Sequence, residues 1–448
     1  MSAAPETGPE PAAGPAPAAG PAPAAGPAPA AGPAPAAGPA PAQPAGIPHG
    51  ALYGTLAVQT LCTMAAFSMS VAAPEVAAEL GIPGSTVGYY ISMVYGFGMI
   101  SAIGSPGFIH RYGPIRINQY CLLTAMASLL VAALGGTVAL IAFSAFVIGT
   151  GYGATAPASS YILARRTPPG VVNFVFAIRQ TGVPLGGVLA GLVVPPLLLA
   201  AGWRNALLAE LVPMTVLLIL LQWLRGAYDS DRAPGRPLFP GGPLRPLRLI
   251  VEVAELRLLS IVSFVYSGSQ LCFGAFMVVY LTERAGFPLV SAGLGLAVYQ
   301  VAAVTARIVL GWVADRWVAP RVLLGAQGVI MAAAAVVTGF FSADWPLPAV
   351  LAVCAVAGAT ASGFTGLAYA EYARIGGPSR AAEVTSVGTF AMFLGVMVMP
   401  SLFSVVIGVT GSYAAAFDAV AVVAVLCGAA LLLSRPTPRR PQPGRDEQ

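Results

Sequence analysis

Apolar runs of about 20 residues recur between residues 51 and 434, and they constrain the fold more than any other feature of this sequence. A run of this length, wound as a helix, crosses a hydrocarbon layer about 30 Å thick. Only 9% of the 448 residues are charged, whereas a soluble domain usually has about 25%. The sequence therefore predicts an all-α polytopic membrane protein.

Twelve of these runs have the length of a membrane span. The predicted spans cover residues 51–73, 84–106, 116–135, 138–163, 171–199, 205–224, 257–281, 289–313, 320–341, 347–373, 383–408 and 412–434. The longest hydrophilic connection separates the first six spans from the last six. We therefore expect a six-helix lobe at 51–225, a cytoplasmic linker at 226–256 and a second six-helix lobe at 257–434.

The two ends of the chain differ from the spans. Residues 12–41 are five copies of Ala-Ala-Gly-Pro-Ala-Pro, and prolines at this spacing favour extended polyproline-like chain over helix or sheet. We expect residues 1–50 to form a disordered arm and residues 435–448 to form an unfolded cytoplasmic tail. The sequence leaves open whether the arm has a docking partner.

Every one of the 22 basic residues is an arginine, and their positions predict the orientation. With both termini in the cytoplasm, 20 arginines lie on or near the cytoplasmic side and only Arg204 and Arg284 lie on the other. Such a bias marks the inside, so we expect a multi-pass protein of a bacterial inner membrane. Because the arginines lie beside spans, no nucleic-acid partner is expected. The five cysteines have no metal-site spacing, so no metal or cofactor is expected.

The two halves of the chain can be laid over each other. The Leu-Cys pair that begins at Leu61 falls on the pair at Leu271 with an offset of 210, and Gly186 falls on Gly395 with an offset of 209. A six-plus-six repeat is typical of two-lobed transporters whose site lies near the middle of the membrane.

The connection after span 8 contains Gly311-Trp-Val-Ala-Asp315-Arg316. This resembles the loop signature of the major facilitator superfamily, Gly-x-x-x-Asp-Arg-x-Gly-x-Arg, and the resemblance extends over residues 51–434. It implies twelve helices in two lobes and transport by alternating access. The chemistry is plausible in itself, because Gly lets helix ends approach and Asp can accept from helix N-terminal amides, latching a gate.

A related motif follows span 2 and contains Gly107, His110, Arg111, Gly113 and Arg116. His110 stands where the signature has Asp. We therefore expect the latch in the first half to be weaker, differently built or pH-sensitive. Alternatively, the arginines of both motifs only anchor the protein at the cytoplasmic interface.

Span 5 contains Gly182, Pro184, Gly186 and Gly187. These residues resemble the glycine-proline motif of proton-coupled drug exporters in the same superfamily, but their spacing differs from it. Glycine and proline in a membrane helix allow close packing and a kink. We therefore predict a helix-packing role for these four residues.

Two arginines lie inside spans, where an ionisable side chain is a functional candidate. Arg307 and Tyr299 are eight residues apart, so one cavity can receive both. This stretch is similar to span 8 of monocarboxylate and oxalate porters, which implies that Arg307 contacts a substrate carboxylate. Ala303 replaces the Asp that monocarboxylate carriers have there. Arg179 in span 5 can also bind an oxyanion in a bidentate manner. Structural ion pairs or snorkelling to the interface are the alternatives.

Uncharged polar groups and a few acids complete the candidates. The remaining predicted cavity residues are Gln59, Tyr95, Tyr152 and Gln270. Glu371 is the proton-coupling candidate, although its spacing from Arg374 also suits an ion pair. Glu210 and Asp418 occupy similar places in spans 6 and 12, where we expect interfacial roles outside the cavity.

These observations predict a secondary active transporter for a small organic solute, a carboxylate-type anion, with protons as the candidate coupling ion. We expect a monomer whose partners are the substrate and the lipid bilayer. A drug or metabolite exporter that exchanges protons is the alternative, and a non-transporting membrane sensor is a distant one. Enzyme activity is not expected, because neither histidine lies in a span and catalytic motifs such as His-Glu-x-x-His are missing from the sequence.

Overall fold

A computed structural model describes residues 46–82, 87–239, 241–242 and 244–434. The predicted unfolded tail and nearly all of the predicted arm lie outside these residues. The described chain is helical and contains no strand. Its helices are α1 His49–Leu80, α2 Val87–Tyr112, α3 Pro114–Leu134, α4 Val138–Tyr152, α5 Thr155–Arg166, α6 Val172–Gln180, α7 Gly182–Ala209, α8 Leu211–Tyr228, α9 Arg245–Glu252, α10 Ala254–Glu283, α11 Leu289–Arg316, α12 Pro320–Gly339, α13 Leu347–Ala361, α14 Thr365–Thr410 and α15 Tyr413–Leu433.

Ten helical segments of the described chain are long and apolar enough to cross a membrane. Two of them, Pro169–Tyr228 and Leu347–Thr410, have 60 and 64 residues, whereas a span needs about 20. Each turns back at a glycine with positive φ, at Gly202 with φ 79° and at Gly377 with φ 61°. The structure therefore has twelve passes, as the sequence predicts.

The passes form two lobes, α1 to α8 and α10 to α15. Helices α1 and α7 pack together in the first lobe, and α10 and α14 pack together in the second. The lobes meet where α11 contacts α6 and where α14 contacts α2, α5 and α6. Large apolar side chains such as Leu199, Trp223 and Val290 are exposed on the outer surface, as expected for a surface in contact with lipid.

The predicted linker at 226–256 has secondary structure of its own. It contains the helix α9, and the helices on either side extend into it, since α8 ends at Tyr228 and α10 begins at Ala254. The predicted arm also ends earlier than expected, because α1 begins at His49.

The repeat is visible in the backbone. Gly202 and Gly411, 209 positions apart, both have positive φ. A Cβ on Gly186 would lie 2.4 Å from the Thr60 carbonyl oxygen of α1, and a Cβ on Gly395 would lie 2.0 Å from the Phe264 carbonyl oxygen of α10. Equivalent glycines therefore make equivalent close contacts, between spans 5 and 1 and between spans 11 and 7.

One predicted equivalence is wrong. The bounds of α1 and α10, His49–Leu80 and Ala254–Glu283, place equivalent residues about 204 positions apart, so the Leu-Cys pairs at Leu61 and Leu271 do not correspond. The offset changes because the connections of the second half are longer: α3 ends at Leu134 and α4 begins four residues later, whereas α12 and α13 are separated by the longer loop after Gly339.

The span 5 motif lies at the start of α7. A Cβ on Gly182 would lie 2.9 Å from the Gln59 Cβ of α1, and Gly186 is even closer to α1. Gly187 has no atom within 4 Å of a Cβ position and Pro184 is only half-buried. Close packing on α1 therefore involves Gly182 and Gly186, one turn apart on the same face.

Candidate functional site

Three passes are interrupted near the middle of the bundle. The fourth pass breaks between Tyr152 and Thr155, the fifth at Thr181, and the tenth between Ala361 and Thr365. A helix break leaves carbonyl groups without their usual donors. In two-lobed membrane folds such breaks are where ions and charged substrates bind.

Arg179 occupies the last turn of α6, and its side chain is only 3% exposed. Its Nη2 donates to Gln59 Oε1 at 3.0 Å, to the Thr155 carbonyl at 2.9 Å and to Ser159 Oγ at 2.9 Å. Its Nη1 donates to the side-chain oxygen of Gln180, while its Nε has no hydrogen-bond partner. The guanidinium is therefore held at the break of the fourth pass by neutral acceptors.

Arg307 lies in α11 of the other lobe and is equally buried, at 3% exposure. Its Nε donates to the Ser362 carbonyl at 2.9 Å and its Nη2 to Ser362 Oγ at 2.8 Å. Its Nη1 crosses to the first lobe and donates to the Gln180 carbonyl at 2.8 Å. Arg307 thus joins the break of the tenth pass to the break of the fifth.

The Gln180 carbonyl is available to Arg307 because of Pro184. In a helix this carbonyl would accept from the amide four residues later, and proline has no N–H. Gln180 consequently binds both arginines, Arg179 through its side chain and Arg307 through its backbone. The two arginines share one polar site, which the sequence left undecided.

Neither arginine forms an ion pair within the described part of the chain; all of the acceptors described above are carbonyl, amide or hydroxyl oxygens. An uncompensated charge inside a membrane costs several kcal/mol. The predicted alternative of a structural ion pair is therefore not what the structure shows for Arg179 or Arg307, and neither side chain extends to the interface. Two buried cations therefore lie at helix breaks between the lobes.

Three predicted cavity residues extend this site on the first-lobe side. The Gln59 amide donates to Thr63 Oγ1 at 3.0 Å, and Thr63 Oγ1 lies 3.3 Å from the Tyr152 hydroxyl. The Tyr152 ring stacks on Phe393 of α14, with centroids 5.8 Å apart, and Tyr95 meets Phe393 edge-on at 5.0 Å. An aromatic wall across both lobes therefore adjoins the polar network of Arg179.

The remaining predicted cavity residues, Tyr299 and Gln270, contact each other, and Tyr299 lies within electrostatic range of Arg307. The Tyr299 hydroxyl donates to the Gln270 carbonyl at 3.2 Å, and the Tyr299 ring packs against Phe273 with centroids 6.2 Å apart. This contact joins α11 to α10 inside the second lobe. No hydrogen bond among the described residues connects it to Arg307.

Glu371, the predicted proton-coupling residue, is paired. Both of its carboxylate oxygens accept from Arg374, at 2.8 and 2.7 Å, and Arg374 also lies 3.5 Å from Glu255. The structure thus has the ion pair with Arg374 that the spacing of the two residues also suits.

The motif after span 8 closes one end of the bundle. Gly311, Asp315 and Arg316 lie in the last turns of α11 rather than in a loop, which corrects the prediction. Asp315 accepts from the backbone amides of Asn173 at 3.0 Å and Phe174 at 2.8 Å, at the start of α6. This carboxylate caps a helix of the other lobe, where the helix dipole also favours it.

Gly311 makes that approach possible, since a Cβ there would lie 2.6 Å from Ala177 Cβ of α6. Arg316 instead stacks over Trp312, 4.7 Å from the ring centroid. We call this end of the bundle, marked by the described arginines Arg111, Arg116, Arg165, Arg316 and Arg321, the arginine-rich end.

The motif after span 2 works differently. Gly107 and Arg111 lie within α2, again not in a loop. A Cβ on Gly107 would lie 1.6 Å from the Leu238 carbonyl oxygen of the linker, and the His110 carbonyl accepts from the Ala233 amide at 2.9 Å. The linker thus packs directly on this motif and takes the place of a helix-to-helix latch.

Asp229 of the linker packs against Gly113 and accepts a hydrogen bond from the Arg116 amide. Asp229 accepts from the amides of Ile115 at 2.8 Å and Arg116 at 3.2 Å, so it caps α3. Gly113 has φ 96°, and a Cβ there would lie 2.3 Å from Asp229 Cγ. Burial raises the pKa of Asp229, while the two amide N–H groups oppose this shift. The Arg116 side chain donates to Gln119 at 3.1 Å.

Replacing Pro184 with Ala is expected to weaken the contact between lobes. The new N–H can pair with the Gln180 carbonyl and compete with Arg307. A hydrogen bond from a charged donor contributes about 1.5–3 kcal/mol. Partial loss of the bond from Arg307 to the Gln180 carbonyl should therefore raise the fraction of molecules whose lobes are separated at the arginine-rich end by about fivefold. Distances between spin labels on cysteines at positions 166 and 317 would measure this population, since all five native cysteines are buried.

Pro196→Ala is the matched control for this prediction, because Pro196 is exposed on the same helix. An equal change in both variants would mean that proline itself, and not the Gln180 carbonyl, sets the population.

Sequence reasoning missed four residues of the site. These are Thr155, Ser159, Gln180 and Ser362. The available signal was local: Gln180 precedes a proline by one helical turn, and Ser362 is followed by glycine at a helix end. Neither pattern identifies which arginine donates to the Gln180 or Ser362 carbonyl.

Twelve passes in two related lobes, with buried cations where the lobes meet, define a two-lobed polytopic membrane protein with a central charged site. The sequence model of the Major Facilitator Superfamily matches residues 55–373 and 259–448. The chain belongs to this superfamily.

The chain also resembles two curated transporters at low sequence identity. The chain is 25% identical to the probable sulfoacetate transporter SauU of Cupriavidus necator, over 56% of this chain and 60% of that protein. It is 22% identical to the 4-hydroxybenzoate transporter PcaK of Pseudomonas putida, over 56% of this chain and 62% of that protein. The chain thus spans about 60% of the length of these two relatives.

Among solved structures, the transporter FucP in the outward conformation covers 86% of this chain and 99% of its own, with a TM-score of 0.65 and 17% identity. This likeness shows the fold.

Proposed function

We propose that this protein is a secondary transporter that moves a small organic anion across the membrane by alternating access. The observation that carries the proposal is the pair of buried guanidiniums, Arg179 and Arg307, that have only neutral hydrogen-bond acceptors in the described chain. Arginine presents its donors in a planar fork that matches a carboxylate or sulfonate. An anion between the lobes would compensate both charges.

The same contacts supply a mechanism. The Arg307 bond to the Gln180 carbonyl ties the two lobes together. An anion that takes over Nη1 of Arg307 releases this carbonyl, and binding then favours separation of the lobes at the arginine-rich end. Differential affinity for two states is what a substrate needs in order to shift a conformational equilibrium. Tyr95 and Tyr152 would form the apolar wall beside the anion.

The names of the curated relatives support an anionic substrate. Sulfoacetate and 4-hydroxybenzoate both carry a carboxylate, and these are the compounds in the names of the two relatives. The buried arginines weigh against a lipophilic cation, because two like charges at the site would repel it.

The arginine-rich end is, in this proposal, the cytoplasmic one. The 20 to 2 distribution of arginines supports cytoplasmic termini and a bacterial inner membrane. Asp315 and Gly311 would then latch the cytoplasmic gate, with lobes at 51–225 and 257–434 and the linker between them. We propose a monomer without enzyme activity, coupled to an ion gradient, with protons as the coupling ion.

Transport by purified protein in liposomes tests the proposal. Labelled monocarboxylates, dicarboxylates and sulfonates would be offered with and without an inward proton gradient, and protein-free liposomes would serve as the blank. We expect saturable uptake of at least one organic anion, stimulated by the gradient. Flat uptake of every anion, together with extrusion of a lipophilic cation, would overturn the proposal in favour of a drug exporter.

A further inference from the structure

Glu210 is a buried carboxylic acid that the central site does not use. It lies between α7 and α8, eight residues after the turn at Gly202, and is 2% exposed. Neither of its carboxyl oxygens has a hydrogen-bond partner in the described chain. Glu210 is thus buried within the described chain, whereas Asp418, at the similar place in the second lobe, is exposed.

Among the described residues, no positive charge compensates Glu210. Ser68 of α1 lies next to its carboxyl, but the Ser68 hydroxyl donates to the Met64 carbonyl at 2.8 Å. Tyr90 of α2 lies within electrostatic range of the carboxyl. From α3, Ser128 donates to the Ser144 carbonyl of α4 at 2.8 Å. Tyr90 is thus the titratable group that faces Glu210 from these packed helices.

The nearest arginine on the same helix, Arg204, is engaged elsewhere. It forms a bidentate contact with Glu79 at the end of α1, at 2.7 and 2.5 Å. It therefore leaves Glu210 without a counter-ion.

Burying an ionised carboxylate without a partner in a low-dielectric interior costs much free energy, and burying a protonated carboxyl costs far less. Buried polar atoms without partners are rare in folded proteins and call for a cause. Here the cause cannot be packing alone, since leucine or methionine would fill the same space without a polar group to bury. A bound proton is the one ligand that needs no further space beside a carboxyl.

We propose that Glu210 is a proton-binding site, and that its proton is the one coupled to transport. The second statement rests on the proposed function, and the first does not. In the state described here the acid is closed off and neutral. When the first lobe changes shape and water reaches Glu210, the carboxyl ionises and releases its proton, and it is reprotonated in the next cycle.

Tyr90 also borders a cavity on the side away from the arginine-rich end. Tyr90 lines a cavity of about 110 Å³, together with Met69, Ala73 and Met93, beside the connection between α1 and α2. The rest of its lining is almost entirely apolar, and apolar cavities stay dry, so water would reach Tyr90 only when the first lobe changes shape. Tyr90 therefore adjoins both the cavity and Glu210.

Two measurements on one set of variants test the proposal. Glu210→Gln keeps the size of the side chain but cannot ionise, and Asp418→Asn is the matched control with an exposed acid. Infrared spectra of the purified protein at neutral pH report the carbonyl stretch of protonated carboxylic acids. We expect this band to weaken in Glu210→Gln and to be unchanged in Asp418→Asn. If Glu210→Gln does not fold, Glu210→Asp serves instead. It retains a carboxylic acid, and a shift of the infrared band in this variant assigns the band to residue 210.

The second measurement separates proton coupling from substrate binding. In liposomes driven by a proton gradient, Glu210→Gln should accumulate at least about tenfold less labelled anion than the unsubstituted protein, and this accumulation should not vary with pH. Exchange of labelled for unlabelled anion across the membrane should continue. Asp418→Asn should retain both activities.

An unchanged infrared band in Glu210→Gln would overturn proton binding at this residue. A weakened band with undiminished, equally pH-dependent accumulation would overturn the coupling. If the unsubstituted protein transports none of the anions, the proposed function fails, and the infrared result still decides whether Glu210 holds a proton.

Discussion

Replacing Arg307 with Gln is expected to reduce anion uptake by about a hundredfold or more. The substitution keeps a donor amide but removes the charge and the planar fork that would bind the anion. Loss of two hydrogen bonds from a charged donor corresponds to about 3 kcal/mol or more, and each 1.4 kcal/mol is tenfold in affinity. Initial rates of uptake into liposomes, measured over a range of anion concentrations, would give the change.

Companion variants sharpen this prediction. Arg307→Lys keeps the charge but lacks the bidentate fork, so we expect uptake to remain at least tenfold impaired. Arg179→Gln should be similarly impaired, because both arginines share the site through Gln180. Arg166→Gln, at the end of α5, is the matched control, since it removes an arginine that contacts the Ala227 carbonyl and the Tyr228 ring, away from both buried arginines.

The unfolding temperature of each variant must accompany these rates. Normal uptake by a folded Arg307→Gln protein would contradict the assignment of Arg307 as the anion ligand. An equal loss in Arg166→Gln would show that the assay reports general damage and not anion binding.

Replacing Gly186 with Leu is expected to prevent assembly of the first lobe. A Cβ at this position would lie 2.4 Å from the Thr60 carbonyl oxygen and 2.6 Å from Thr63 Cβ. Backbone cannot yield as a flexible side chain does, so α1 and α7 must separate. Overpacking of this kind costs about 1–3 kcal/mol for small additions and more for large ones. We expect little monodisperse protein after detergent extraction and a strongly lowered unfolding temperature.

Gly187→Leu is an internal control for the same measurement. It lies on the same helix and gains the same helix propensity, about 1 kcal/mol over glycine, but a Cβ there meets no atom within 4 Å. We expect this variant to be extracted and to unfold like the unsubstituted protein. Similar behaviour of the two variants would mean that the contact between α1 and α7 does not limit stability.

Span number and architecture were predictable because they depend on local properties. The length and hydropathy of each run can be read without knowledge of its neighbours, and the turns at Gly202 and Gly377 fall between predicted spans. The pairing of Gly186 with Gly395 also held, since both residues make the same close contact in their own lobes. The Leu61 correspondence failed because connections of unequal length shift the register of a repeat from one span to the next.

The site was predictable only in part. Arg179 and Arg307 stand out in a sequence with few charges, because an ionisable group in an apolar run is rare. Their shared partner Gln180 did not stand out, because the contact joins residues 127 positions apart and depends on a carbonyl that a proline has freed. Glu210 was assigned to the interface from the usual place of its span, while its burial depends on how α7 and α8 face the rest of the lobe.

The sequence by itself determined that the chain is a helical membrane protein with twelve passes in two halves, because apolar length and charge scarcity act along the chain. Only the tertiary structure decided which polar groups meet. It brought two arginines from different lobes onto one glutamine, paired Glu371 with Arg374 and left Glu210 without a counter-ion in the part of the chain that the structure describes. The physical reason is that a buried polar group is satisfied by whatever the packing of distant helices places within about 3 Å of it.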